Sequence, residues 1–154
     1  MARAFPLFSF LSRRVIFGVM AAPYALVFTA APEHIDELGH VNNAVWVRWM
    51  EEIAVRHWEH VAPDAHREAT IWVVTRHEID YRGNVKLGES VTATTFVPDP
   101  PHGARFDRRV DFTNAAGKVI VSARTTWALI DRASGRLMRI TPEIAAPFRD
   151  GTGT

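Results

Sequence analysis

"DELGHVNNAVWVRWMEE", residues 36–52, changes character half-way along. Asp36 to Asn43 gathers acids, a glycine, a histidine and two asparagines, whereas Trp46, Trp49 and Met50 follow at spacings of three and one. That apolar series continues through Ile53, Trp58 and Val61, while Arg48, Glu51, Glu52, Val55, Arg56 and Glu59 fall mostly elsewhere, which is the pattern of a helix with one buried face. The stretch therefore reads as a polar turn feeding a long helix. Asn42 or Asn43 starts it, because an asparagine oxygen can accept a hydrogen bond from a first-turn N–H that has no partner inside the helix. Pro63 ends it.

On either side the period changes. Upstream, "YALVFTA" (24–30) predicts a first core strand. Downstream, "TIWVVTRHEIDYRG" from Thr70 alternates, with Ile71, Val73, Thr75, His77, Ile79 and Tyr81 expected on a buried face and Arg76, Glu78 and Asp80 on the other. Turn residues in "GNVKLGE" lead to a strand from Ser90 to Val97, which stops at Pro98, Pro100 and Pro101. Phe106, Val110 and Phe112 alternate with charged residues in "ARFDRRVDFTN", and Val119, Val121, Ala123, Trp127 and Leu129 mark a further strand over 118–130 that turns back toward "LMRI". A short helix is expected around Pro142–Phe148. The order is one strand, one long helix, then four or five strands joined mostly by hairpins: an α+β fold with an antiparallel sheet against a single helix. One helix covers only one sheet face, and a long edge strand is a template for association, so a homodimer or homotetramer is expected.

The 154 residues, 47% hydrophobic and 23% charged, suit one domain, placed at residues 20–150. A formal charge of +1 gives no global attraction to nucleic acid or to an anionic membrane, and neither is expected as a partner. The absence of cysteine excludes disulfides, thiolate zinc sites and a cysteine nucleophile, in keeping with a cytoplasmic location. The first 32 residues carry Arg3, Arg13 and Arg14 but no acid, and Val15–Pro32 is uncharged. Secretory, transit-peptide and membrane-span readings compete there with a plainer one, that residues 1–19 extend upstream of a functional start at Met20.

An aspartate before a helix is most often a turn former. Here Gly39 permits close backbone approach, and the amides of a helix start suit a developing oxyanion, so Asp36 is a candidate base or nucleophile beside a carbonyl site formed around Gly39, His40, Val41, Asn42 and Asn43. His40 reads equally as a catalytic group or a backbone-bonded turn residue. His57, His60 and His66 match no metal-ligand spacing, and no metal or cofactor is expected. One of Glu51 and Glu52 is a candidate to face the site. Arg82, Lys86, Arg105, Arg108, Arg109 and Arg124 are scattered and read chiefly as surface charge on strands, with a few available for phosphates.

"HIDELGHVNNAVWVRWMEE" resembles the D-x-x-x-H-V-N-N-A-x-(aromatic)-x-x-(aromatic)-x-E-E motif of hotdog-fold acyl-CoA thioesterases, the 4-hydroxybenzoyl-CoA thioesterase-like group that includes long-chain acyl-CoA thioesterases. "EIDYRGNVKLGESVTATT" resembles the same group's strand hairpin, and the resemblance covers about residues 24 to 130. It implies a hotdog fold, a long helix packed on a five- or six-stranded antiparallel sheet, usually dimeric. It implies hydrolysis of an acyl-CoA thioester to acid and CoA, with Asp36 as catalytic carboxylate, helix-start amides as oxyanion site and His40 matching a histidine that is catalytic in some relatives. An acyl tunnel is expected along Trp46, Trp49, Met50 and Ile79, with coenzyme A phosphates near Arg82 or Lys86. The sequence departs from the pattern at Leu38, where plant acyl-carrier-protein thioesterases carry asparagine, at Ile53-Ala54 and at Gly83-Asn84. A non-catalytic acyl-CoA or lipid binding protein is the alternative on the same fold.

Overall fold

A computed structural model describes residues 23–150. The expected extension at residues 1–19 lies outside them. The first strand, β1, runs Tyr24–Thr29 and leads through a 3-10 turn at Pro32–His34 to the long helix α1, Asn43–Val61. Asn42 is the cap: its side-chain oxygen accepts the Ala44 N–H at 2.9 Å. The helix ends two residues before Pro63, and a short helix that the sequence did not suggest, α2 (Asp64–Ala69), fills the link to β2 (Thr70–Tyr81). Strands β3 (Ser90–Phe96), β4 (Arg105–Asn114) and β5 (Val119–Asp131) follow, then helix α3 (Pro142–Asp150). "LMRI" adds no strand; Leu137 makes only an isolated bridge to Ile130.

The five strands form one antiparallel sheet in the order β1-β3-β4-β5-β2, against which α1 packs, as the hotdog expectation required. Trp46, Trp49, Met50 and Ile53 of α1 are buried among Phe28, Val91, Val110, Phe112 and Val121. A second cluster joins Val61, Val97, Phe106 and Leu129 to Ile144 and Phe148, so α3 closes the far end of the sheet.

The expected single buried face of β2 is corrected by a bulge. Val74 pairs with Trp127 and Arg76 with Thr126, leaving Thr75 as the extra residue. An inserted residue reverses the side on which later side chains emerge. Before it, Thr70 is buried and Trp72 packs on the second cluster; after it, Ile79 packs on the first. Ile71 and Val73 consequently remain exposed, together with Val74. Strand β2 is thus a long sheet edge bearing uncovered apolar side chains.

Candidate active site

The segment before α1 is a closed loop. The Asp36 N–H donates to the His40 carbonyl and the Asn42 N–H to the His34 carbonyl, each at 2.9 Å, while Gly39 (φ +75°) takes a left-handed conformation that suits glycine and lets the chain reverse. Asp36 Oδ1 accepts the Leu38 N–H at 2.9 Å, the turn role expected of an aspartate here. Among the described residues, the other carboxylate oxygen of this half-buried side chain accepts no hydrogen bond. One oxygen therefore anchors the turn, and the other has no donor among the described residues.

The amides expected to make the oxyanion site divide in the same way. Those of Gly39, Val41 and Asn42 are occupied by the carbonyls of Asp36, Val85 and His34. Among the described residues only His40 and Asn43, within Gly39–Asn43, keep an amide with no acceptor. Asn43 opens α1, where the helix dipole adds partial positive charge. The loop is fixed from outside by Asn84, whose Nδ2 donates to the Val41 carbonyl at 3.0 Å while its Oδ1 accepts the Val85 N–H at 2.8 Å. At the adjacent Gly83 a Cβ would lie 2.9 Å from the Ile120 side chain, so this loop needs glycine to pass the sheet. The Tyr81 hydroxyl donates to the Asn43 carbonyl at 3.4 Å, bringing the end of β2 to the helix start.

The residues expected to line a tunnel are distributed differently. Trp46, Trp49 and Met50 belong to the aromatic core with Phe28 and Phe112; Trp46 meets Trp49 edge-on at 5.2 Å and Phe112 at 5.1 Å. All three are packed in this core, and none of them lines the cavity between α1 and α3. Ile79 is half-buried against the same cluster. Arg82 is exposed and paired to Asp80 at 2.9 Å, and Lys86 is exposed nearby. Of the two glutamates, Glu52 pairs with Arg56 on the surface, whereas Glu51 reaches a cavity.

That cavity, of about 370 Å³, lies between α1, the start of β2 and α3. Its wall includes Ala54, Trp58, Trp72, Phe106, Phe148 and Arg108. The aromatic rings brace one another: Trp58 stacks on Phe148 at 5.4 Å, and Trp72 on Phe106 at 6.1 Å. Arg108, read from sequence as surface charge, is buried, because its position on β4 faces the helix. Its Nη1 donates to His57 Nδ1 at 2.9 Å and to Thr95 Oγ1 at 3.0 Å. Burial first, then the neighbouring Arg108 and His60 charges, lower the His57 pKa to about 3, so His57 is a neutral acceptor. Burial lowers that of Arg108 to about 10, which still leaves it charged near neutrality.

The family described as the thioesterase-like superfamily matches residues 30–148, from the end of β1 into α3. The chain belongs to this superfamily. Solved structures agree on the fold of this thioesterase-like chain. A Staphylococcus aureus protein in complex with CoA is similar at TM-score 0.73 and 17% identity, over 83% of this chain and 82% of that one. YbaW of Escherichia coli, a probable thioesterase, gives 0.70 and 20% over 84% and 98%, and the DHNA-CoA thioesterase of Staphylococcus aureus 0.68 and 16% over 77% and 80%. No curated protein matches the sequence significantly.

The sequence of this thioesterase-like chain pointed to the Asp36 loop but not to Asn84, which braces it, or to Arg108, which lies buried in the cavity wall. Asn84 is distant in sequence from Val41, and its only local signal was to stand in a turn. Arg108 is one of many scattered arginines; the alternation of "RFDRRVDF" does put it on the same strand face as Phe106 and Val110, which was the available signal.

Proposed function

We propose that this thioesterase hydrolyses acyl-CoA to free acid and CoA at the Asp36 loop. The observation that carries the reading is the division of labour in that loop: one Asp36 oxygen anchors the turn, the other has no donor among the described residues, and the amides of His40 and Asn43 lack acceptors beside the helix start. A thiolate leaves without strong acid assistance, so a carboxylate that attacks the thioester or activates water, with two amides for the oxyanion, suffices chemically. The acyl group occupies the aromatic-walled cavity, and coenzyme A phosphates lie outside it, near Arg82 and Lys86. His40 borders the reacting carbonyl as a second catalytic group.

The functional unit is a homodimer formed along β2, which can in turn assemble into a tetramer. Its support is the edge itself, twelve residues long with Ile71, Val73 and Val74 exposed. An antiparallel pair centred on the middle of β2 sets the Tyr81 end of one copy against the Thr70 end of the other. Because Tyr81 touches Asn43 and Thr70 borders the cavity, Asp36 of the partner subunit then lies beside this chain's cavity. That placement matters because, within one chain, α1 rises about 12 Å between Asn43 and Glu51, where the cavity begins. The test is thiol release by the full chain from short, long, branched and aromatic acyl-CoAs. Turnover of at least one class supports the reading; tight binding across the panel without any turnover contradicts it and leaves a binding protein.

A further inference from the structure

Arg108 is only 6% exposed, yet no carboxylate lies within ion-pair distance of it among the described residues. Its neighbours are neutral: His57 and Thr95 share Nη1, and the Phe148 ring lies 5.3 Å from the guanidinium carbon. Nε and Nη2 donate to nothing among the described residues, and the side chain forms part of the cavity wall. A buried cation without a counter-charge is costly, and a fold does not place one beside a void without loss unless something enters to meet it. Of the wall residues' other N–H donors, Trp72 Nε1, Trp127 Nε1 and Arg67 Nε are fully enclosed and do not open onto the space. Its two glutamates, Glu51 and Glu59, are exposed on the helix surface.

We infer that the cavity takes an acyl group ending in a carboxylate, bound by Arg108, so that the preferred substrates are monothioesters of dicarboxylic acids. This rests on the thioesterase reading and deepens it. The free Nε and Nη2 form one edge of a planar fork, the arrangement that receives a carboxylate through two parallel hydrogen bonds. The Trp58, Trp72, Phe106 and Phe148 rings accommodate the apolar stem between the thioester and that terminus. The stem is apolar and the far end anionic, so the cavity discriminates at the end remote from the reaction. Coenzyme A supplies anions as well, and the test therefore includes competition by free CoA.

The test compares acyl-CoAs of equal length that end in a methyl or a carboxylate, at eight and sixteen carbons, in thiol release by the full chain. The wild type is expected to favour the carboxylate by about tenfold or more in kcat/KM at one length, the scale of a charge-assisted hydrogen bond. Arg108→Met is expected to bring that ratio to one or below, a readout that a general loss of fold does not produce. Should Arg108→Met fail to fold, Arg108→Lys, which keeps the charge but loses the fork, is expected to keep only part of the preference. Independently of turnover, suberate monomethyl ester is expected to quench tryptophan fluorescence of the wild type at concentrations about tenfold lower than methyl octanoate does. No carboxylate preference in either assay, a preference unchanged in the variants, or displacement of the monoester by free CoA overturns the proposal. Hydrolysis of neither thioester, with the fluorescence preference intact, overturns the thioesterase reading instead.

Discussion

Asn84 grips Val41 through its carbonyl, and the neighbouring Val85 carbonyl takes the Val41 N–H at 3.1 Å, so both polar groups of one loop residue are held by one turn. Asn84→Ala removes two of the bonds in this arrangement. The expected outcome is a fall in kcat of about tenfold with a smaller change in KM, and a loss of about 1 to 2 kcal/mol in denaturant unfolding. His57 carries a second prediction. Its folded pKa of about 3 lies below the ordinary 6.5, so the unfolded chain binds the proton that the folded chain refuses. Its contribution is full above pH 6.5 and is lost as pH falls toward 3, with a slope of at most about 1.4 kcal/mol per pH unit. Denaturant midpoints measured from pH 7 to pH 4 are expected to fall more steeply for the wild type than for His57→Asn, which keeps an acceptor for Arg108 without a titrating ring. At this scale the sequence pointed to the Asp36 loop but not to Asn84, which braces that loop, nor to Arg108 in the cavity wall, because both owe their roles to contacts across more than ten residues of chain.

Helix α1 was legible because its apolar spacing extends over several turns and a capping residue stands at its start. Asn42→Ala removes the bond to the Ala44 N–H and is expected to cost about 1 kcal/mol in thermal or denaturant unfolding. The strands were legible by alternation wherever alternation holds. It fails in β2, because Thr75 is an ordinary strand residue and nothing in its identity announces that it is the inserted one. It is silent over α2, whose six residues are too few to display a helical period. Side chains beyond a bulge change face, so a periodic reading of β2 is correct on one side of Thr75 and inverted on the other.

For the whole molecule, β2 is the sheet edge on which the proposed dimer would form. Val73→Glu places a charge on the exposed apolar edge; if the proposed β2 dimer forms the site, light scattering is expected to show a shift to monomer, with thiol release falling in parallel. Retained activity in a monomeric variant would show that each chain works alone. An antiparallel sheet against one long helix followed from the pattern of elements, but the strand order did not: β2 and β3, expected as a hairpin, do not pair, since β2 lies beside β5 and β3 between β1 and β4. The cavity was not legible either, because it forms where α1, β2, β4, β5 and α3 meet and no local pattern encodes a void. The proposed role of Asp36 is read most directly from turnover by Asp36→Asn beside the wild type at saturating acyl-CoA, with binding and oligomeric state measured on the same samples. An asparagine oxygen can still accept the Leu38 N–H, so the loop is retained while the carboxylate is lost. A fall in kcat of about a hundredfold or more with binding retained is expected, the scale set by removal of a positioned base; turnover close to wild type in a folded variant would show that Asp36 is not the catalytic carboxylate.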